Sequence, residues 1–271
     1  MPASSINPSK NTMAIAARFS AASGTYHEAA AVQRNVAESL GRFFPDVPPT
    51  AHILEIGCGT GVLTAIVRRR YPGLWIDVVD VSARMIAQAR TRMGFDNRIR
   101  CRVVDLRHVP TTRLYPLIVS SSSLHWINPL EEGLAKMAAL LEPGGRVVFS
   151  LMTHGTLGEL RKCRLRVAPH KTPAGSLPTL RQVRHGLRYA GLTVLDDRKE
   201  IRRIEYPSAE LFLRHIHDQG LTGGAVSTSC LPLNRRELLE VIKTYQASYP
   251  AGAGVVASYH VAYFVARKSG G

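Results

Sequence analysis

Between residues 50 and 152, short continuous apolar runs alternate with stretches in which apolar residues recur every three or four positions. The runs "AHILEIG", "LWIDVVD", "IRCRVVD", "LIVSSSS" and "RVVFSLM" predict five buried strands. The stretches "VLTAIVRRRY", "SARMIAQARTRM" and "PLEEGLAKMAALLEPGG" predict the intervening helices, with Ser82 as a cap for the second and glycines stopping the third. Uninterrupted apolar strands between helices mean βαβ units and a parallel sheet covered on both faces. A helix is expected over 26–44, where Ala29, Val32, Val36, Leu40 and Phe43 share a face. After residue 152 the pattern loosens. A helix is expected within 155–170, a helix and a long strand within 179–206, helices in "SAELFLRHIHDQG" and "NRRELLEVIKTYQASY", and a closing strand in "SYHVAYFVARK". The organisation expected is a flexible tail over 1–16 and one domain over 17–271. Segments around 155–176 and 207–250 are expected to cap the carboxyl edge of the sheet.

The first strand runs into Gly57, Gly59 and Gly61, and a helix follows at once. Glycines at that point let a ligand approach the backbone closely. The spacing is G-x-G-x-G, without the lysine and Ser/Thr of a phosphate-binding P-loop. Three acids accompany it: Glu55 before the glycines, Asp80 at the end of strand two and Asp105 after strand three. A carboxylate at Asp80's position can accept both hydroxyls of a ribose.

Composition adds one feature. The chain of 271 residues has 45% hydrophobic residues, a formal charge of +15 and a pI near 10.2. Residues 161–205 contain twelve Lys/Arg and four Asp/Glu. Such a balance speaks to an acidic partner, an anionic surface or genomic arginine bias, and not to fold. No apolar run is long enough to span a bilayer. The four cysteines match no metal or redox spacing, so no metal is expected and a reducing cytoplasm is.

"LEIGCGTG", "VVDVS", "VVDL" and "LEPGGRVVFS" resemble the class I S-adenosylmethionine-dependent methyltransferases. The resemblance implies a doubly wound, mostly parallel seven-stranded α/β sheet. It implies S-adenosyl-L-methionine as cofactor, its methionine end over Gly57, Gly59 and Gly61, ribose at Asp80 and adenine at Asp105. Glu55 and Ser120 join the expected cofactor set.

The outlying stretches "RFSAASGTYHEAAAVQRNVAESL", "VSSSSLHWINPLEEGL", "LMTHGTLGEL", "RHIHDQGLTGG" and the final strand resemble the malonyl-acyl-carrier-protein O-methyltransferases of biotin synthesis. Those enzymes methylate the free carboxylate of a malonyl thioester carried on acyl carrier protein. The resemblance implies Tyr26 over the active site, orienting the carboxylate or the methyl group. A carboxylate acceptor suggests a cationic clamp, for which Arg161 is the candidate, and His125 is expected in the substrate pocket. Arg161, Lys162, Arg164, Arg166, Arg202 and Arg203 are candidates for a basic face that steers acidic carrier protein. Neither nucleic acid nor membrane is an expected partner. Ser121 and His125 stand where the family often has Asn and Gln, and Tyr115-Pro116 replaces an acid common before strand four. A free small carboxylic acid of the trans-aconitate type, or a protein-modifying assembly role, are the alternatives.

Overall fold

The computed structural model describes residues 10–94, 96–171, 176–221 and 231–270. Three helices open the chain: α1 (Lys10–Ala22), α2 (Tyr26–Ala29) and α3 (Ala31–Gly41). The alternating unit follows as β1 (His52–Ile56), α4 (Val62–Arg70), β2 (Trp75–Asp80), α5 (Ala83–Met93), β3 (Ile99–Val103), β4 (Tyr115–Ser121), α6 (Leu130–Leu140) and β5 (Leu141–Met152). The remainder is α7 (Gly158–Val167), α8 (Leu180–Tyr189), β6 (Leu192–Tyr206), α9 (Ala209–Asp218), α10 (Arg235–Ser248), β7 (Pro250–Ala251) and β8 (Gly254–Lys268).

The sheet runs β3-β2-β1-β4-β5-β8-β6, with the two-residue β7 pairing β8 off this path. The first five strands are parallel, and β8 enters antiparallel between β5 and β6. Both faces are covered. Ile53, Ile76, Leu117, Val119 and Val148 pack under α3 and α4. Leu54, Ile56, Ile118, Val147 and Phe149 pack under α6 and α8. Because successive side chains alternate between faces, burial on both sides explains why these strands read as unbroken apolar runs.

β5 ends at Met152 opposite Val261, but β6 and β8 stay paired from Ile201–His260 out to Tyr206–Val255. This ribbon projects past the carboxyl ends of the parallel strands. Leu160 and Cys163 of α7, Phe212 of α9 and Tyr245 of α10 are buried in the same core as its Tyr206 and Tyr259. The two tyrosine hydroxyls lie 2.9 Å apart. The expected cap segments therefore build on the ribbon. Their parts 172–175 and 222–230, the first nine residues of the expected tail, and Cys230 lie outside the described residues.

Three expectations need correction. Residues 10–16 belong to α1, which buries Thr12 and Ile15. The helix expected over 26–44 is two helices meeting at Ala30, whose φ of −84° and ψ of +38° leave the helical region. The glycines after α6 do not stop it: the helix ends at Leu140, and Glu142–Gly145 already lie in β5.

Candidate active site

A cleft of about 1090 Å³, measured to its open mouth, lies over the carboxyl ends of β1, β2 and β4. Gly57, Cys58, Gly59 and Thr60 form its floor, Asp80 and Asp105 stand along one wall, and Thr12, Ile15 and Phe19 of α1 close it. Gly57 has φ +69°, and a Cβ there would sit 1.9 Å from the Ser123 hydroxyl, so only glycine fits. Gly59 (φ +53°) lies under the Tyr26 ring, whose Cε1 would be 3.9 Å from an added Cβ. Gly61 is not among the described residues lining the cleft. It caps α4 at φ +87° and brings that helix against α5, where a Cβ would meet Ala89 at 3.3 Å.

Asp80 faces the cleft. Its Oδ2 accepts the Gly59 N–H and its Oδ1 accepts the Ser82 N–H, each at 2.9 Å. Burial raises its pKa, and these backbone donors oppose the rise. A carboxylate has roughly four acceptor sites, so these backbone donors do not fill it and it can still accept from a ribose. Asp105 differs. Its Oδ1 accepts Arg107 N–H (2.9 Å) and Nε–H (3.1 Å). Its Oδ2 accepts Arg107 Nη2–H (2.6 Å) and the Thr12 hydroxyl (3.1 Å). These donors fill the carboxylate and hold its pKa below the usual range against desolvation. The expected contact from Asp105 to adenine therefore requires one of them to yield.

Glu55 lies beneath the floor, fully buried, and neither oxygen has a well-formed hydrogen bond among the described residues. Desolvation pushes its pKa up to about 8, with the Thr64 hydroxyl and amide pulling the other way and Asp80 adding to the rise. Ser120 is a correction. Its hydroxyl donates to the Ile56 carbonyl at 2.9 Å and is turned into the sheet, whereas Ser121, Ser122 and Ser123 reach the cleft.

A second chamber of about 350 Å³ adjoins the first. Phe19, Tyr26, Gln33, Ser122 and Trp126 line both. Phe19 packs edge-on against Tyr26 (6.0 Å between centroids) and Trp126 (5.3 Å), forming an aromatic partition. The rest of the chamber wall includes His125, Met152, Thr156, Leu157 and Tyr259. Burial and the Asp80 charge push the Tyr26 phenol upward, so it keeps its proton. His125 accepts the Met152 N–H on Nδ1 at 3.3 Å, and desolvation takes its pKa down to about 3. Arg161 is not among the described residues lining either chamber. It sits on α7, its backbone N–H bonded to the Leu157 carbonyl, one turn beyond the chamber wall. Sequence reasoning missed Thr12, Ile15 and Phe19 of α1; their three- and four-residue spacing was the available signal.

Residues 54–147 match the family model described as a methyltransferase domain. A malonyl-acyl-carrier-protein O-methyltransferase of Dechloromonas aromatica is 31% identical over 98% of this chain and 99% of its own length. The chain belongs to the malonyl-acyl-carrier-protein O-methyltransferase family. Another member, from Geobacter sulfurreducens, is 30% identical over 92% of this chain and 96% of its own length. Among solved structures, the YcgJ protein of Bacillus subtilis aligns with a TM-score of 0.64 at 12% identity, covering 88% of this chain and 99% of its own, which shows the shared fold. The two chambers lie side by side on this methyltransferase sheet.

Proposed function

We propose that this protein methylates the free carboxylate of malonyl-acyl-carrier protein with S-adenosyl-L-methionine, in the cytoplasm, as the first step toward the pimeloyl precursor of biotin. The observation that carries the reading is the pair of chambers sharing one aromatic partition, in a chain that belongs to this family throughout its length.

The cleft fits the cofactor chemically. Its floor is cut away at Gly57, and Asp80 keeps free acceptor sites for a ribose. Arg107 is the cation among its described lining residues and is spent on Asp105, so the cleft is no phosphate cradle. When bound there, the cofactor supplies a methyl group on a positively charged sulfur. The acceptor has a pKa near 4 and is ionised at pH 7. No residue has to remove a proton, which agrees with a phenol at Tyr26 and a neutral imidazole at His125, neither suited to act as a base. The work left to the chain is alignment and exclusion of water, which in favourable cases contributes about 7–11 kcal/mol. Tyr26, Phe19 and Trp126 supply the walls at the partition, and Tyr26 lies over the glycine floor where the acceptor must approach.

Carrier protein docks, in this reading, on α7. That helix starts one residue after Leu157 of the chamber wall and displays exposed Lys162 and Arg166 beside half-buried Arg161. Arg202 does not belong to this face, since it is tied to Glu200, Ser39 and Tyr263 on β6 and its neighbours. Incubation with labelled cofactor and malonyl-acyl-carrier protein, with malonyl-coenzyme A and trans-aconitate in parallel, tests the proposal. A 14-dalton gain on the carrier-bound malonyl group well above the other two is expected; preferential methylation of trans-aconitate refutes it.

A further inference from the structure

The second chamber receives an anion, yet no lysine or arginine is among its described lining residues. We propose that the malonyl carboxylate is held by two uncharged donors, the Ser122 hydroxyl and the His125 Nε2–H, in place of a cationic clamp. This rests on the function proposed above.

Ser122 carries the first half. It follows the end of β4 with φ +52°, a left-handed conformation that is unfavourable for a residue with a side chain. Its N–H is fixed on the Ser150 carbonyl at 3.0 Å. Two neighbouring serines are committed, Ser120 to the Ile56 carbonyl and Ser121 to the Ser150 hydroxyl at 3.1 Å, and Ser123 lines the first chamber but not the second. The Ser122 Oγ is buried, has no hydrogen-bond partner among the described residues, and belongs to a side chain that lines both chambers. Strained backbone and an unmatched hydroxyl at the junction where donor and acceptor must meet are both explained by a ligand that accepts from it.

His125 carries the second half. Its Nδ1 receives the Met152 N–H, so in the neutral ring the proton sits on Nε2. The ring is buried and forms part of the chamber wall. Burial disfavours the imidazolium, which leaves Nε2 as a fixed neutral donor.

Uncharged donors also suit the reaction. A carboxylate and a sulfonium become a neutral ester and a thioether, so the acceptor's charge declines toward the transition state. A guanidinium clamp would bind the charged ground state more tightly than the transition state and slow transfer. Dipolar donors lose less as the charge fades, and each occupies one lone pair while others stay free for attack.

The test compares wild type with Ser122→Gly, which removes the hydroxyl and relieves the backbone, His125→Leu, which removes the donor, and His125→Gln, which restores one. Transfer to malonyl-acyl-carrier protein gives kcat and KM. Calorimetry gives affinity for S-adenosylmethionine and, with S-adenosylhomocysteine present, for malonyl- and acetyl-acyl-carrier protein. Ser122→Gly and His125→Leu are expected to lose roughly 10–100-fold in kcat/KM, the range for a hydrogen bond to a charged group. They should weaken malonyl but not acetyl carrier binding, while His125→Gln recovers most of the rate. Circular dichroism and thermal denaturation report folding; if His125→Leu fails to fold, Ser122→Gly decides. Full kcat/KM in both variants, or equal weakening of malonyl and acetyl carrier, overturns the proposal. Failure of wild type to methylate malonyl-acyl-carrier protein overturns the function together with it.

Discussion

Replacing Glu55 by Gln should change how stability depends on pH. The Glu55 carboxyl lies inside the sheet at 0% exposure, and its pKa is raised to about 8 by desolvation. In the unfolded chain a glutamate titrates near 4.3. Below that pH both states carry the proton and the group is neutral to folding. As pH rises toward 8 the unfolded chain releases its proton while the folded chain holds it, so stability falls by about 1.4 kcal/mol per pH unit. From pH 5 to pH 8 the cofactor-free protein should lose roughly 3–5 kcal/mol through this one group. The amide of Glu55→Gln does not titrate, and any packing defect it introduces is independent of pH. Chemical denaturation of both proteins without cofactor, at pH 5, 6.5 and 8, isolates the effect. His125, whose pKa is lowered, stabilises the fold at high pH and loses that contribution as pH falls below about 6.5. It is common to both proteins and cancels in the difference. The stability of the variant relative to wild type should rise steadily with pH, equivalent to a shift in Tm on the order of 10 °C by pH 8. A difference that stays constant from pH 5 to pH 8 would refute the burial argument.

Gly57→Ala forces a side chain into positive φ and onto the Ser123 hydroxyl; a stability loss of at least about 1–2 kcal/mol and a loss of cofactor binding of tenfold or more are expected by denaturation and calorimetry. Thr12→Val removes the hydroxyl that bridges Arg107 (2.6 Å) and Asp105 (3.1 Å). It should cost about 1 kcal/mol and accelerate amide exchange across residues 12–22, while exchange in β1 stays unchanged. Reversing Arg161, Lys162 and Arg166 to Glu together should raise KM for carrier-bound malonyl about tenfold or more, with a weakened salt dependence, and leave KM for malonyl-coenzyme A within about threefold.

The sheet was legible because its central strands are buried on both faces, so continuous runs such as "HILEI" survive as a signal. The glycine turn and Asp80 were legible because the backbone itself makes the floor. The closing strand alternates along its length, with Val261, Tyr263 and Val265 on one face, yet Ala262, Phe264 and Ala266 bury the other face against α6 and α8. What escaped depends on long-range contacts. α1 is rich in Ala and lacks an acidic first turn, so its role over the cleft shows only once Thr12 meets Asp105. Asp105 reads as an open carboxylate in sequence and is saturated by Arg107, two residues away. Arg202 reads as surface charge and is bound on β6. Nothing in a run of four serines distinguishes Ser120, turned into the sheet, from Ser122, strained toward the chambers.

The most direct measurement is the position of the transferred methyl. The protein would be incubated with malonyl-acyl-carrier protein and cofactor carrying a carbon-13 methyl, and the product followed by NMR before and after treatment with an esterase. The account predicts a single methoxyl signal, coupled to the terminal malonyl carbonyl and released as methanol by the esterase. Label on the malonyl methylene, or no label on the carrier while the cofactor remains bound, would contradict it.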